Sequence, residues 1–273
     1  MRLFVFGLGY TARTFVAQLD GWLVEATGAH GTVAFDDDDA VRARLSRATH
    51  VLSSVPPDTA GDPVLARYGD ALAGRWLGYL SSTGVYGDTG GAWVDESAPV
   101  GSGRRTARSD ADAAWLALGA RVLRLPGIYG PGRSPLDRVR EGRAHRIDLP
   151  GHVFSRVHVE DIARGCALAF DAPPGAYNLA DDLPASGAAV TAEACRLLGV
   201  EPPPLRTLDQ AALSPAARGF YAESRRVANG KAKRVLGWAP AYPDYATGLR
   251  ALKAMTSPTI ARPAPAIAST DQR

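Results

Sequence analysis

Several features that mark particular classes of protein are scarce in this sequence. Its 273 residues include only two cysteines, Cys166 and Cys195, which are too few for a disulfide-stabilised scaffold. Both fall on apolar stripes of predicted helices, so we expect buried free thiols rather than a disulfide or a redox pair. The five histidines show no metal-ligand spacing, and we therefore predict no bound metal.

Long hydrophobic runs are also missing. No apolar stretch reaches the 18 residues of a membrane-spanning helix, so we expect no membrane partner. The apolar start at Met1–Leu8 suggests a signal peptide, but glycines interrupt it and Arg13 follows, which argues against one. We therefore expect a cytoplasmic protein.

Neither sign of charge is in large excess. Lys and Arg number 31 against 28 Asp and Glu, and no basic run is interleaved with aromatic residues. We therefore expect no nucleic-acid partner, although the isoelectric point is near 9.0. A hydrophobic fraction of 46% is ordinary for a globular chain of enzyme size.

What is present begins at the N-terminus. Arg2–Phe6 predicts a buried strand, and the spacing of Phe15 and Leu19 predicts a helix after it. At a strand-to-helix turn, the pattern G-x-G-x-x-G/A binds a dinucleotide, because its first glycine makes the turn and its second admits the pyrophosphate. The small residue at the end of the pattern lets helix and strand pack closely, and the helix N-terminus offers N–H groups to phosphate. We predict that the cofactor contacts the whole motif, Gly7, Leu8, Gly9, Tyr10, Thr11 and Ala12.

The end of the next predicted strand, Leu23–Thr27, should lie beside the adenosine ribose. An NAD enzyme usually has an acid there for the ribose 2′-hydroxyl, whereas this chain continues Thr27-Gly28-Ala29-His30. The missing acid favours NADP over NAD. We assign Thr27 and His30 to the cofactor site, with a solvated loop histidine as the alternative for His30.

Further strands are predicted at Val33–Phe35 and His50–Ser53. Between them, the acids of Asp36–Asp39 open a helix, which we prefer to a cation site because acids complement the helix dipole. Ligands bind at the carboxyl edge of a doubly wound sheet, so we add Val55 and Pro56 to the predicted cofactor site.

Later motifs resemble those of one family, and they occur in the same order. They are Ser81-Ser82-Thr83-Gly84-Val85-Tyr86-Gly87, Leu123-Arg124-Leu125-Pro126-Gly127-Ile128-Tyr129-Gly130-Pro131-Gly132, His158-Val159-Glu160-Asp161, Tyr177-Asn178-Leu179 and Leu236-Gly237-Trp238-Ala239-Pro240. Over about residues 1–250 the chain resembles the extended short-chain dehydrogenase/reductase family, the NAD-dependent epimerase/dehydratase group. The resemblance implies an α/β fold, a Rossmann-type doubly wound parallel sheet with a smaller, mainly helical substrate lobe.

We divide the chain accordingly. Residues 1–182 are predicted to form the dinucleotide-binding domain, with 131–155 as a substrate-covering insertion, and 183–255 the substrate lobe. The tail 256–273, with three prolines among small residues, is predicted to be disordered.

The catalytic residues of the family carry over unevenly. Ser82 matches the family serine or threonine whose hydroxyl holds the reacting oxygen. The family's Tyr-x-x-x-Lys pair falls on Arg104 and Arg108 when Asp112 is aligned with the acid that follows it. A guanidinium is always protonated and relays no proton, so neither arginine replaces the tyrosine.

Other residues are assigned to fill these roles. Arg108 is predicted to supply positive charge or to bond the ribose, and Tyr86 to replace the missing proton carrier. The alternative for Tyr86 is a packed ring with a satisfied hydroxyl. Pro126 joins the predicted cofactor site. The predicted substrate-binding residues are Thr83, Arg104, Tyr129, Arg133 and Arg225.

Two functions from different classes follow. The first is an NAD(P)(H)-dependent oxidoreductase or epimerase of a small, sugar-like or anionic molecule; the second is an inactive NAD(P)H-binding sensor or regulatory protein. Retention of Ser82 favours the enzyme, and loss of the Tyr and Lys favours the sensor. We also predict a homodimer, because Pro63–Leu72 and Ser109–Leu118 match the helices that pair in family dimers and Trp115 is unusual on a solvated face.

Overall fold

A computed structural model describes residues 1–101, 103 and 106–256 of the chain. The predicted substrate-binding residue Arg104 lies outside the described residues, as do residues 257–273 of the predicted disordered tail. Thr256, the first residue of that predicted tail, is the last residue of a helix.

The regular elements alternate between strand and helix along most of the chain. The strands are β1 (Arg2–Phe6), β2 (Leu23–Ala26), β3 (His50–Ser53), β4 (Trp76–Ser82), β5 (Trp93–Val94), β6 (Arg121–Leu125), β7 (Gly127–Tyr129), β8 (Arg146–Ile147), β9 (Arg156–His158), β10 (Gly175–Asn178), β11 (Leu205–Arg206) and β12 (Arg226–Val227). The helices are α1 (Tyr10–Val16), α2 (Asp38–Leu45), α3 (Pro63–Tyr68), α4 (Thr106–Ala117), α5 (Pro135–Arg140), α6 (Val159–Leu168), α7 (Gly187–Leu198), α8 (Pro215–Phe220), α9 (Gly230–Leu236) and α10 (Tyr245–Thr256).

Six strands form a parallel sheet in the order β10-β6-β4-β3-β1-β2. Side chains of β1 alternate between its two faces, as the pleat of a strand requires. Leu3 and Val5 pack with residues of α1 and α6, whereas Phe4 and Phe6 pack with residues of α2, α3 and α4. Helices therefore cover both faces of a parallel sheet, and the predicted doubly wound α/β class is confirmed.

The strand predicted at Val33–Phe35 is wrong. Within that stretch only Val33 pairs, through a single bridge to Thr27. The amides of Thr32 and Val33 both donate to the carbonyl oxygen of Ala26, at 2.8 and 3.1 Å, so the chain folds back on the end of β2. A backbone that turns this tightly does not extend along β2, which is left as an edge strand of the sheet.

The helix predicted from the acidic run is α2, and Asp37 caps it by accepting from the amide of Ala40 at 3.0 Å. Asp62 likewise caps α3, ahead of Pro63 at its first position. The cap at Asp37 agrees with the prediction that the acidic run begins a helix rather than forming a cation site.

A second core lies under the C-terminal part of the chain. Helices α5, α7 and α10 pack on one another through residues that include Leu136, Val190 and Leu249. Helix α9 instead packs its Ala232 and Leu236 into the core of the large sheet. The chain thus returns to the first core after the lobe, and the division at residue 183 stays a prediction.

Trp115 is fully buried within one copy of the chain. Its ring stacks on Tyr79, with centroids 5.4 Å apart, and its Nε1 donates to Asp62 Oδ2 at 2.8 Å. This corrects the idea that Trp115 marks a subunit interface, because the ring has its partners on its own sheet. The homodimer itself stays a prediction.

Both cysteines are free and buried, as predicted. In the described part of the chain no helix is long and apolar enough to cross a membrane. Across those same residues there is also no group of three or more His, Cys, Asp or Glu that could hold a metal ion.

Candidate functional site

The turn after β1 is held in shape by Thr27. The Thr27 hydroxyl accepts from the amide of Gly7 at 3.1 Å, and the Thr27 carbonyl oxygen accepts from the amide of Leu8 at 2.8 Å. Gly7 has φ +81°, and a Cβ there would lie 3.0 Å from Val55 Cγ2. The turn therefore requires a glycine, and Thr27, which is buried, positions the loop rather than presenting its hydroxyl to a ligand.

Gly9 meets a different requirement. It is an extended residue with φ −86°, and a Cβ added to it would have no atom within 4 Å. The open space above it is part of a cavity of about 1060 Å³. A dinucleotide pyrophosphate fits the cradle that a side chain at Gly9 would fill.

The cavity extends from several of the predicted cofactor residues to residues of the C-terminal lobe. From the predicted set, Gly9, Tyr10, Thr11, Pro56 and Pro126 line it, whereas Gly7, Leu8, Ala12, Thr27, His30 and Val55 do not. Ala12 is fully buried against the sheet, as the close helix packing of the motif requires, and His30 is exposed. Ser54 also lines the cavity; its hydroxyl donates to the carbonyl oxygen of Gly7, and sequence reasoning had not singled it out.

Ser82 ends β4 at the centre of the cavity wall. Its hydroxyl accepts from the amide of Gly84 at 3.1 Å, which fixes the short helical turn Thr83–Tyr86. Among the described residues, no hydrogen bond of the fold uses the hydroxyl proton of Ser82, and its role toward a ligand stays a prediction. Thr83 and Arg108 line the same cavity, so the structure brings together three of the residues predicted to act on substrate or cofactor.

Tyr86 does not line the cavity. Its ring is buried, and its hydroxyl donates to Asn178 Oδ1 at 2.8 Å and accepts from Arg124 Nη1 at 3.0 Å. Burial raises the pKa of Tyr86, although Arg124 opposes that rise. This corrects our choice of Tyr86 as proton carrier, because a hydroxyl so enclosed does not reach a substrate; the packed-ring alternative describes the geometry.

A buried ionic network that sequence reasoning missed lies behind Ser82. Arg124 donates to Asp112 through Nη2 at 2.6 Å and through Nε at 3.1 Å. The hydroxyl of Ser81 donates to the same carboxylate at 2.6 Å. One signal was available: Arg124 stands between two leucines near the end of the buried strand β6, and a charge at such a position requires a buried partner.

The remaining predicted substrate residues lie around the cavity in different states. Tyr129 is buried, and its hydroxyl lies against Gly248 of α10 with no hydrogen-bond partner among the described residues. Arg133 lies over the ring of Tyr10, 5.8 Å from its centroid. Arg225 donates to Glu223 at 2.7 Å and to the carbonyl oxygen of Gly87. All three predicted residues line the cavity.

Two buried titratable groups lie close to this wall. Burial lowers the pKa of His158 to about 4, and the His158 ring packs 5.2 Å from that of Tyr129. Burial raises the pKa of Asp181 to about 8, with Arg156 opposing the rise. In the described part of the chain neither oxygen of the Asp181 carboxyl group has a hydrogen-bond partner.

Comparisons with known proteins agree with this architecture, although no protein-family model matches the chain. A conserved protein of unknown function from Silicibacter pomeroyi DSS is 43% identical, with a TM-score of 0.82 over 93% of this chain and 98% of that one. Human epimerase family protein SDR39U1, solved with NADPH, is 18% identical, with a TM-score of 0.75 over 93% of this chain and 99% of that one.

A relative with a named activity matches a shorter region. Over 147 residues the chain is 33% identical to the 3-diazoavenalumate denitrifying reductase of a Streptomyces species. The match covers 48% of this chain and 46% of the reductase, so the chain spans about half the length of that relative.

The fold is that of the extended short-chain dehydrogenase/reductases, the class of NAD-dependent epimerases and dehydratases. The chain belongs to the same family as the conserved Silicibacter pomeroyi protein.

Proposed function

We propose that the protein is an NAD(P)(H)-dependent oxidoreductase or epimerase that acts on a small anionic molecule. One observation carries the proposal: a single cavity of about 1060 Å³ runs from Gly9, past Ser82, to a group of arginines in the lobe. A dinucleotide at one end and a substrate at the other would meet at Ser82.

The cofactor half rests on the open cradle at Gly9 and on Thr11, Ser54 and Pro56 around it. When bound, a reduced nicotinamide supplies a hydride. NADPH is the preferred form, because the stretch after β2 has no acid to bond a ribose 2′-hydroxyl or to repel a 2′-phosphate. Among proteins of the same fold, the human epimerase family protein was solved with NADPH and others with NAD, so a nicotinamide cofactor is supported and the choice of NADPH rests on the missing acid alone.

The chemistry assigned to the chain is positional and electrostatic. The hydroxyl of Ser82 donates a hydrogen bond to the reacting oxygen of the substrate, where negative charge develops as hydride reaches the neighbouring carbon. Arg108, on the same wall, adds positive charge that stabilises this oxygen or the ribose. With Tyr86 enclosed, the proton that completes a reduction comes from water in the open cavity.

The substrate half is cationic. The guanidinium groups of Arg133, Arg138, Arg143, Arg156 and Arg225 line it, and Glu223 is paired with Arg225. Excess positive charge in a cleft concentrates and orients anions. This favours an anionic substrate over an uncharged sugar.

A sensor without catalysis remains the second candidate, and one observation favours it. The pair that relays protons in the family is replaced by Arg104 and Arg108, and no shift of Tyr86 into the cavity compensates for it. Under this alternative, NADPH binding alters association with a partner and no substrate is turned over.

The deciding experiment measures binding and turnover separately. Fluorescence titration with NADPH and NADH is expected to give saturable binding of both, with NADPH at least as tight. Turnover is then sought with NADPH and a panel of aldehydes, ketones and nucleotide sugars. Failure of both dinucleotides to bind would reject the whole proposal, whereas binding with no turnover would support the sensor. Activity gained by the double variant Arg104→Tyr, Arg108→Lys would show that only the proton relay is missing.

A further inference from the structure

We propose that the lobe end of the cavity is a binding site for an aromatic carboxylate, with the flat ring against Phe154 and Tyr221 and the carboxylate on Arg156 and Arg138. The inference deepens the proposed function, on which it rests, by naming the chemical class of the anion. It comes from a juxtaposition of aromatic rings and guanidinium groups in the lobe part of the cavity wall.

Aromatic side chains form part of the cavity wall in the lobe. Phe154 and Tyr221 meet edge to face with centroids 5.7 Å apart, and His152 packs on Phe154 at 4.6 Å. Phe154, Tyr221 and the exposed Phe220 line the cavity. A Cβ on Gly187 would lie 3.8 Å from the Tyr221 hydroxyl and 3.9 Å from Phe154 Cε2, so the glycine leaves the space beside both rings open. Such a wall suits a flat apolar body, since aromatic pairs gain energy beyond the area that they bury.

The cations lie beside these rings. Arg156 lies over Phe154, 5.8 Å from the ring centroid, and its Nη1 donates to the carbonyl oxygens of Phe154 and Ala185, each at 2.9 Å. Its Nε and Nη2 donate to no described residue. Burial lowers the pKa of Arg156, which means that its charge lacks the solvation it would have in water. The negative charge of a bound anion would compensate for the solvation that this guanidinium has lost through burial.

Arg138, on α5, is the second cation. It lines the cavity and forms no ion pair with any residue that the structure describes. Arg138, Arg156 and Tyr221 line the same cavity, and both arginines oppose the rise that burial causes in the pKa of Tyr221. Glu223, an acid in the same wall, pairs with Arg225 at 2.7 Å. The acid that acts most strongly on Arg156 is Asp181, whose own pKa burial raises to about 8, so that near neutral pH it is mostly protonated and leaves the charge of Arg156 uncompensated.

Aromatic rings beside guanidinium groups favour an aromatic carboxylate over a sugar phosphate. A sugar phosphate presents hydroxyl groups on all sides, and the ring faces of Phe154, Phe220 and Tyr221 offer no hydrogen-bond partner to the hydroxyls that would lie against them. A carboxylate joined to a ring matches both parts, because the planar guanidinium fork takes a carboxylate in two parallel hydrogen bonds while the ring covers the apolar wall.

The test is calorimetric binding of trans-cinnamate to the full chain, with and without saturating NADPH. Three matched probes accompany it: cinnamamide removes the charge, 3-cyclohexylpropanoate removes the flat ring, and phenyl phosphate changes the anion. Cinnamate is expected to bind at least about tenfold more tightly than each of the three, the factor that one charge-assisted hydrogen bond supplies. Equal binding of cinnamate and cinnamamide, or tighter binding of phenyl phosphate, would overturn the proposal.

Variants locate the site. Arg138→Gln and Tyr221→Leu are each expected to weaken cinnamate about tenfold while leaving the NADPH titration unchanged. Arg140→Gln is the control, because Arg140 lies on the same helix, pairs with Asp137 at 3.3 Å and is not part of the cavity wall. An effect of Arg140→Gln equal to that of Arg138→Gln would reject the site. Cinnamate binding without any NADPH binding would leave this site standing and reject the proposed function.

Discussion

Arg124 and Asp112 form a two-point ion pair behind the cavity wall, with Nη2 to Oδ1 at 2.6 Å and Nε to Oδ2 at 3.1 Å. Both side chains are almost fully buried, and the pair ties helix α4 to strand β6 at the level of Ser81. Because α4 also carries Arg108, the ion pair sets where that guanidinium enters the cavity.

Breaking this pair is expected to be costly. Asp112→Asn should lower the free energy of unfolding by about 3–5 kcal/mol, since it leaves the buried charge of Arg124 without its counter-ion. Urea unfolding followed by circular dichroism measures the change. Asp110→Asn, on the exposed side of the same helix, should change the free energy by less than about 0.5 kcal/mol. Equal effects of the two substitutions would contradict the role given to the ion pair.

Tyr86→Phe separates structure from catalysis. The substitution removes a donor from Asn178 and an acceptor from Arg124, and it should lower the free energy of unfolding by about 1–3 kcal/mol. Turnover by the folded variant should match the parent, because the hydroxyl does not reach the cavity. A large loss of kcat with unchanged stability would restore Tyr86 as proton carrier.

Ser82→Ala should act in the opposite way. Loss of one hydrogen-bond donor to a developing oxyanion lowers kcat by about 10²–10³ in comparable sites, and NADPH affinity should be unchanged. Steady-state kinetics and a fluorescence titration on the same preparation test both halves. Unchanged kcat on a substrate that the parent turns over would remove Ser82 from the proposed chemistry.

Gly9→Val should abolish NADPH binding and leave the fold intact. The added side chain meets no atom within 4 Å of its Cβ, so it is tolerated, yet it fills the space assigned to the pyrophosphate. Gly69→Val is the matched control, since a Cβ there is equally free of contacts and lies outside the cavity wall. Retained NADPH affinity in Gly9→Val would place the cofactor elsewhere.

Asp181 makes stability depend on pH. Its pKa is about 8 in the folded chain and near 3.9 when unfolded, so between those values the folded state holds a proton that the unfolded state releases. The contribution of Asp181 to stability is therefore fully present at low pH and falls as pH rises toward 8, by at most about 1.4 kcal/mol per pH unit.

His158 acts in the opposite direction and in another range. With a folded pKa of about 4, it remains neutral in the fold while the unfolded chain protonates below about 6.5, so its contribution is lost as pH falls. Between pH 6.5 and 8 the contribution of Asp181 falls, and comparing a variant at this position with the parent isolates it from that of His158. The parent should lose up to about 2 kcal/mol of unfolding free energy between pH 6.5 and pH 8 that Asp181→Asn does not lose. Urea unfolding of both proteins at the two pH values measures this difference. If the free energy of unfolding changed equally with pH in parent and variant, the raised pKa of Asp181 would be contradicted.

The fold class and the site differ in how much local sequence defines them. Strand β1, the glycine turn and helix α1 were predicted with correct types because residue alternation and helical spacing are local patterns, and the order of later motifs gave the architecture. The strand at Val33–Phe35 failed for a local reason too: two amides turn back onto Ala26, and apolar content alone did not reveal that turn.

Sequence patterns were sufficient to predict the doubly wound sheet, the glycine motif after β1 and the position of Ser82 at the end of a strand. The contact of Tyr86 with Arg124, the burial of Trp115 on its own sheet, and the common cavity of Arg138, Arg156 and Tyr221 became visible only in the folded chain. The reason is distance along the chain. Periodicity and turn chemistry are written in neighbouring residues, whereas side-chain direction and ion pairing depend on packing between segments tens of residues apart, which no local pattern records.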